Sequence, residues 1–128
     1  MYLVEDLPQG DEGVVTRIHP AGTMDDATDA PGEVEGLTVI GVPGAFAALE
    51  AHRALSAGSD VMLVTADVDM ADEVALKSRA ADVGRLVLGP GADSALIDGI
   101  GIGIANVVAS GRVGIVATSG SGAQEAAV

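Results

Sequence analysis

LTVIGVPGAFAALEAHRALSAGSDVMLVTADVDMADEVALKSRAADVGRLVLG, residues 37–89, is the stretch whose periodicity decides the fold. It opens on LTVIGV, a short run of apolar and β-branched residues of the kind expected for a strand covered on both faces. PGAFAALEAHRALSAG then changes to a helical period, with Pro43 near the helix start and Gly58 as its stop. Its apolar stripe is predicted to run through Phe46, Leu49 and Leu55, with alanines filling the gaps. DVMLVT is a second apolar strand. MADEVALKSRAADVG is a second helix, with Asp72 and Glu73 in its first turn, Lys77 and Arg79 further along and Gly84 at its end. RLVLG is a third strand. Strand–helix–strand–helix–strand with short connections predicts right-handed crossovers, and so an α/β fold with a Rossmann-like parallel sheet in a three-layer αβα arrangement.

Outward from this block the pattern is less regular. After RLVLG come the loop GPGADSA, a glycine-rich run GIGIGI read as an edge or turn strand, and RVGIVA, read as a last strand. That strand leads into TSGSGAQEAAV, which reads as the first turn of a helix. On the other side, residues 1–36 carry the acids Glu5, Asp6, Asp11, Glu12, Asp25, Asp26, Asp29, Glu33 and Glu35 against one base, Arg17. With Pro8, Pro20 and Pro31 the segment is expected to be partly loop. GVVTRI is a candidate short strand that would pair with MYLV. No helix is predicted there.

Composition excludes several functions. A chain of 128 residues is one domain at most. It has no cysteine, so disulfide and thiolate chemistry are out of reach and a cytoplasmic setting is the expectation. Aromatics make up 2% against 48% hydrophobic residues, so Val, Ile, Leu and Ala must build the core. MYLVEDLPQG has neither the basic start nor the apolar run of a signal peptide. The most apolar stretch, ALIDGIGIGIANVVASGRVGIVA, is interrupted by Asp98 and Arg112 and reads as strands and turns, not as a membrane span. The formal net charge of −13 argues against nucleic-acid partners, against anionic membranes, and against a polyanionic cofactor held by a basic cluster.

In parallel α/β sheets ligands gather beyond the carboxyl ends of the strands. The loops there are Val42–Gly44, Thr65–Asp67 and Gly89–Asp93, with Thr118–Gly122 after the last predicted strand. In that fourth loop Ser119, Gly120, Ser121 and Gly122 precede a helix, whose unpaired N–H groups and positive dipole end suit phosphate or carboxylate. The same residues also read simply as a helix cap and a tight turn. They match neither the P-loop nor the full dinucleotide fingerprint. Pro43 and Gly44 are explained by helix initiation alone, and Gly89-Pro90-Gly91 by a sharp turn with Asp93 and Ser94 beside it. His52, among alanines and leucines, reads as a packing histidine. His19 lies upstream of Asp25 and Asp26, but the spacing is not that of a metal site. No serine sits in a nucleophile-elbow context. No catalytic residue and no metal ligand is therefore assigned.

Several blocks in fixed order carry a resemblance over residues 42–125: VPGAFAALEAHRAL, DEVALKSRA, LGP and GIGIANVVASGRVGIVATSGSGAQE. Together they resemble the FdrA family, relatives of the α subunit of succinyl-CoA synthetase. After the acidic segment 1–36, the resemblance implies a CoA-binding Rossmann-like domain over 37–110, and over 111–128 the first strand and loop of a flavodoxin-like ligase domain at whose start the chain is truncated. It places Val64, Thr65 and Ala66 against coenzyme A, with Gly89 and Pro90 nearby, and gives Ser119–Gly122 to an acyl and phosphate pocket. There are departures. Residues 1–36 hold no glycine-rich phosphate loop, Gly91-Ala92 follow the Gly-Pro turn, Ala66 stands where an adenine-side acid is expected, and Gln124 falls at the synthetases' acyl-contacting tyrosine. By the same resemblance, the domain bearing the synthetases' phosphohistidine is expected to lie outside these 128 residues. The expectation is a CoA-binding domain, not catalytic alone, within a larger acyl- or carbamoyl-transfer assembly. The alternative is a structural or regulatory subunit that has lost CoA. Val113, Ile115 and Val116, uncovered by a missing domain, would make it a homo-oligomer or the partner of a chain that completes the second domain.

Overall fold

The computed structural model describes residues 2–5, 17–20, 36–97, 99–109 and 111–128. The chain divides into two compact units, Met1–Gly91 and Ala92–Val128.

The first unit contains β1 (Tyr2–Glu5), β2 (Arg17–Pro20), β3 (Gly36–Ile40), α1 (Gly44–Ser56), β4 (Asp60–Leu63), α2 (Met70–Asp82) and β5 (Val87–Leu88). They form one five-stranded sheet in the order β2-β1-β3-β4-β5. β3, β4 and β5 run parallel, with Leu37 opposite Asp60 and Val61 opposite Val87. β1 is antiparallel to both β3 and β2. The α/β, Rossmann-like core predicted from residues 37–89 is therefore present. MYLV does pair with the segment after it, but the strand there is Arg17–Pro20; residues 13–16 of GVVTRI lie outside the described residues.

Both described helices of this unit end in the same way, for a reason written in the sequence. At the end of α1 the Gly58 amide donates to Leu55 O (3.2 Å) and the Ser59 amide to Ala54 O (3.0 Å). At the end of α2 the Gly84 amide donates to Ala81 O (3.3 Å) and the Arg85 amide to Ala80 O (2.8 Å). This is the paired closure that needs a left-handed residue after the helix, and Gly58 (φ 85°) and Gly84 (φ 67°) supply it. The starts differ. Asp69 caps α2 by accepting from the Ala71 amide at 2.8 Å, whereas no side chain caps α1 behind Pro43.

The core joins Ile40, Val61 and Leu63 of the sheet to Ala47, Ala51, Ala54 and Leu55 of α1 and Leu76 and Ala80 of α2. The two helices thus share one face of the sheet, and a second helical layer is not among the described residues. Leu37 and Met62, which alternate to the opposite face, are buried too, as a doubly covered parallel sheet requires. The stripe predicted for α1 needs correction. Leu55 is buried, but Phe46 and Leu49 are 60% and 52% exposed. Positions 47, 51, 54 and 55 also form a helical stripe, and its alanines let α1 lie closer to the sheet than a Phe–Leu face would. Beneath the core a hydroxyl chain closes the amino end of the sheet. Thr38 Oγ1 donates to Ser59 Oγ (2.8 Å), which lies 2.9 Å from both Gly36 O and Asp60 O.

The second unit contains the antiparallel hairpin β6 (Ser94–Ile97) and β7 (Ile100–Gly103) and the helix α3 (Gly120–Ala127). The GIGIGI run thus supplies one strand of a two-stranded ladder. RVGIVA does not form the predicted strand: residues 111–118 have no regular structure. A strand exists only through its ladder, and no described residue pairs with this segment. Val113 and Val116 are left 85% and 102% exposed. Among the described residues no helix is long and apolar enough to cross a membrane.

Candidate functional site

Three loops meet at the carboxyl ends of β3, β4 and β5 in the first unit. Each leaves a strand that is pinned by the parallel ladder, so the geometry of the edge follows from the strand register. Thr65, two residues past β4, ties them together. Its hydroxyl donates to Val42 O at 2.5 Å, and its carbonyl accepts from the Gly91 amide at 3.0 Å. Gly89-Pro90 is a cis peptide, and Gly89 and Gly91 both have left-handed φ (93° and 71°). Gly91 passes close to Ala66: a Cβ placed on Gly91 would lie 3.6 Å from the Ala66 Cβ. Of the residues implied by the resemblance in this unit, Val64, Thr65, Ala66, Gly89 and Pro90, all sit on this one edge. Val64 and Ala66 are exposed and Thr65 is half-buried.

Two features of the edge were not legible beforehand. The loop from β4 to α2 makes a tight turn at Asp67, with the Val68 amide donating to Ala66 O at 2.9 Å. That turn lays the Asp67 carbonyl on the first turn of α1. A Cβ on Gly44 would overlap the carbonyl oxygen and lie 3.2 Å from the Asp67 Cβ. Helix initiation alone accounts for Gly44 in the sequence, and nothing in the spacing from 44 to 67 signals the contact.

The basic residues lie elsewhere. Arg17 begins β2 in register with Glu5, which is itself opposite Gly36, so it stands at the amino edge. Arg53, in the last turn of α1, pairs with Glu50 at 3.0 Å. Lys77 pairs with Glu73 on α2. Arg79 ties the two helices: Nη1 lies 3.0 Å from His52 Nδ1 and donates to His52 O (3.0 Å), and Nη2 donates to Ser56 Oγ (2.8 Å). His52 is thus half-buried between helices, as a packing histidine should be. Arg85 precedes β5 at the amino edge, and its guanidinium lies 3.7 Å from where a Gly58 Cβ would be.

The fourth candidate loop belongs to the second unit. Ser119 is the N-cap of α3, its hydroxyl accepting from the Gly122 amide at 3.2 Å and lying 3.3 Å from Ser121 Oγ. Gly120 is pressed against Asp93: a Cβ there would overlap the Asp93 carboxylate and lie 3.0 Å from Ser94 Oγ. Ser94 Oγ donates to Asp93 (2.7 Å), and Gln124 Nε2 donates to Ser94 Oγ (3.3 Å) and to Ile104 O. The Asp93 carboxylate therefore lies beside the first turn of α3, where a negative charge is favoured by the helix dipole. Among the described residues no group of three or more His, Asp or Glu is placed to hold a metal.

Over 92 residues the chain is 45% identical to the uncharacterized protein YahF of Escherichia coli strain K12. The match covers 72% of this chain and spans 18% of the length of YahF. No family model matches the chain.

Proposed function

We propose that the first unit is a CoA-binding domain of the acyl-CoA synthetase type, similar to that of the FdrA family, and that it serves a larger acyl- or carbamoyl-transfer assembly without being catalytic alone. The observation that supports this most is the meeting of Val64-Thr65-Ala66 with Gly89-Pro90-Gly91 through the Thr65 hydrogen bonds, on the edge where parallel α/β sheets take their ligands. CoA or an acyl-CoA is the partner. The acyl or phosphate pocket belongs to Ser119–Gly122, and a second copy or a partner chain covers the apolar residues of segment 111–118.

Calorimetric titration of the intact chain with CoA and acetyl-CoA tests the reading. Saturable binding that persists in Ser119→Asp is expected, because the cofactor site lies in the first unit. Absence of heat at millimolar ligand would sink it. A second reading, a structural or regulatory subunit that retains the fold without the ligand, is favoured by the absence of any lysine or arginine at the strand-end edge among the described residues. The same titration separates the two.

A further inference from the structure

The edge that supports CoA binding is chemically unsuited to the charged half of CoA. The chain has only six lysine and arginine side chains. Of these, Arg17 and Arg85 stand at the amino edge of the sheet. Arg53, Lys77 and Arg79 are engaged on or between the helices, and Arg112 lies in the other unit. The carboxyl edge instead carries Asp67 and Asp69, with Asp72 and Glu73 in the turn above them.

Backbone amides could replace basic side chains, since helix N-termini hold phosphate unaided. Two of the described helices start on this edge, and both are already met by oxygens of the chain itself. Asp69 accepts from the first turn of α2. On α1 the space over Gly44, which in dinucleotide-binding folds is the gap a glycine leaves for pyrophosphate, is filled by the Asp67 carbonyl. Apart from the exposed Asp67 and Asp69, which repel an anion, what remains open on this edge among the described residues is neutral: the exposed Val64 and Ala66, the close backbone of Gly91, and peptide groups of the Gly89–Gly91 turn.

We infer that this edge recognises the neutral, amide-bearing pantetheine arm of its ligand, and that the adenosine phosphates stay outside in solvent. A chain of amides and methylenes can lie along exposed peptide groups and small apolar side chains, as an extended peptide does. The bisphosphate nucleotide would gain no ion pair here and would approach a protein of net charge −13. The inference rests on the reading above that the ligand is CoA, and it narrows that ligand to pantetheine carriers in general.

The test is titration of the intact chain with CoA, D-pantetheine and adenosine 3′,5′-bisphosphate, repeated with Ala66→Glu. Ala66 is exposed, so this variant should keep the fold, which circular dichroism checks. Pantetheine should bind within about threefold of CoA, the bisphosphate should not compete, and Ala66→Glu should weaken both ligands by about tenfold or more. If the bisphosphate displaces CoA while pantetheine does not bind, the inference is overturned and the CoA reading stands. If pantetheine binds equally well to Ala66→Glu, its placement on this edge is overturned. If CoA itself does not bind, both fall.

Discussion

Replacing Gly44 by alanine tests the strand-end geometry without any ligand. The added methyl would overlap the Asp67 carbonyl oxygen, and ordinary carbon contacts need about 3.5 Å, so the oxygen must retreat by well over an ångström. The loop has little slack. It is held on one side by Thr65, through Val42 and Gly91, and on the other by Asp69 as the cap of α2. Forcing a methylene into a packed site of this kind costs about 1–3 kcal/mol, and a larger loss follows if the Thr65 bond also breaks. Against this, alanine is favoured over glycine in a helix by up to about 1 kcal/mol. The net expectation for Gly44→Ala is a loss of about 1–2 kcal/mol, or a drop of several degrees in Tm. Gly41→Ala is the control, because a Cβ there meets nothing within 4 Å. It should be neutral or stabilising by up to about 1 kcal/mol. Urea unfolding followed by circular dichroism measures both. Equal stability of Gly44→Ala and the parent would refute the close packing of the β4–α2 loop on α1.

Three further substitutions probe the rest of the first unit by the same unfolding assay. Leu76→Ala removes a fully buried side chain between α2 and the sheet and should cost about 2–5 kcal/mol; a smaller effect would place that face of α2 outside the core. Ser59→Ala deprives the buried Thr38 hydroxyl of its acceptor and frees Gly36 O and Asp60 O, for a loss of about 1–3 kcal/mol, whereas neutrality would mean that water or another group satisfies them. Asp69→Ala removes the α2 cap for about 1 kcal/mol, and Asp69→Asn should recover most of it; equal loss in both would assign the effect to charge and not to the cap.

The succession β3-α1-β4-α2-β5 was legible because each element is bounded by a residue with one physical use. Gly58 and Gly84 can take the left-handed conformation that closes a helix, and the short apolar runs between them have no helical period. The strand-end loops were legible for the same reason: a parallel sheet assigns them one edge. What the loops do to each other was not. The contact of Gly44 with Asp67 joins residues 23 positions apart through a turn whose shape depends on the Val68–Ala66 hydrogen bond, and no local pattern encodes it. Arg79 is a similar case. On its own helix it looks like an exposed cation, and only the packing of α1 against α2 brings His52 and Ser56 within its reach.

The outer face of α1 and RVGIVA depart from the sequence expectation for one cause: an apolar side chain does not by itself bring cover. On α1 two apolar stripes compete. The larger residues, Phe46 and Leu49, lose to Ala47, Ala51 and Ala54 because a helix on a sheet gains more from close approach than from bulk. Phe46→Ser decides whether that ridge matters to the isolated chain. If the face is solvent-exposed, the substitution should change stability by less than about 0.5 kcal/mol, as surface changes do, while the corresponding Leu55→Ser on the buried face should cost several times more. In RVGIVA the same logic runs through the backbone. Val113 and Val116 have the side chains of a strand, but their N–H and C=O groups have no described ladder to join, so sequence preference alone leaves them without regular structure. A strand that forms only when a neighbour is supplied should gain amide-exchange protection over 111–118 when the chain self-associates or meets a partner. Exchange that is equally fast in monomeric and associated samples would show that this segment is not the surface through which association occurs.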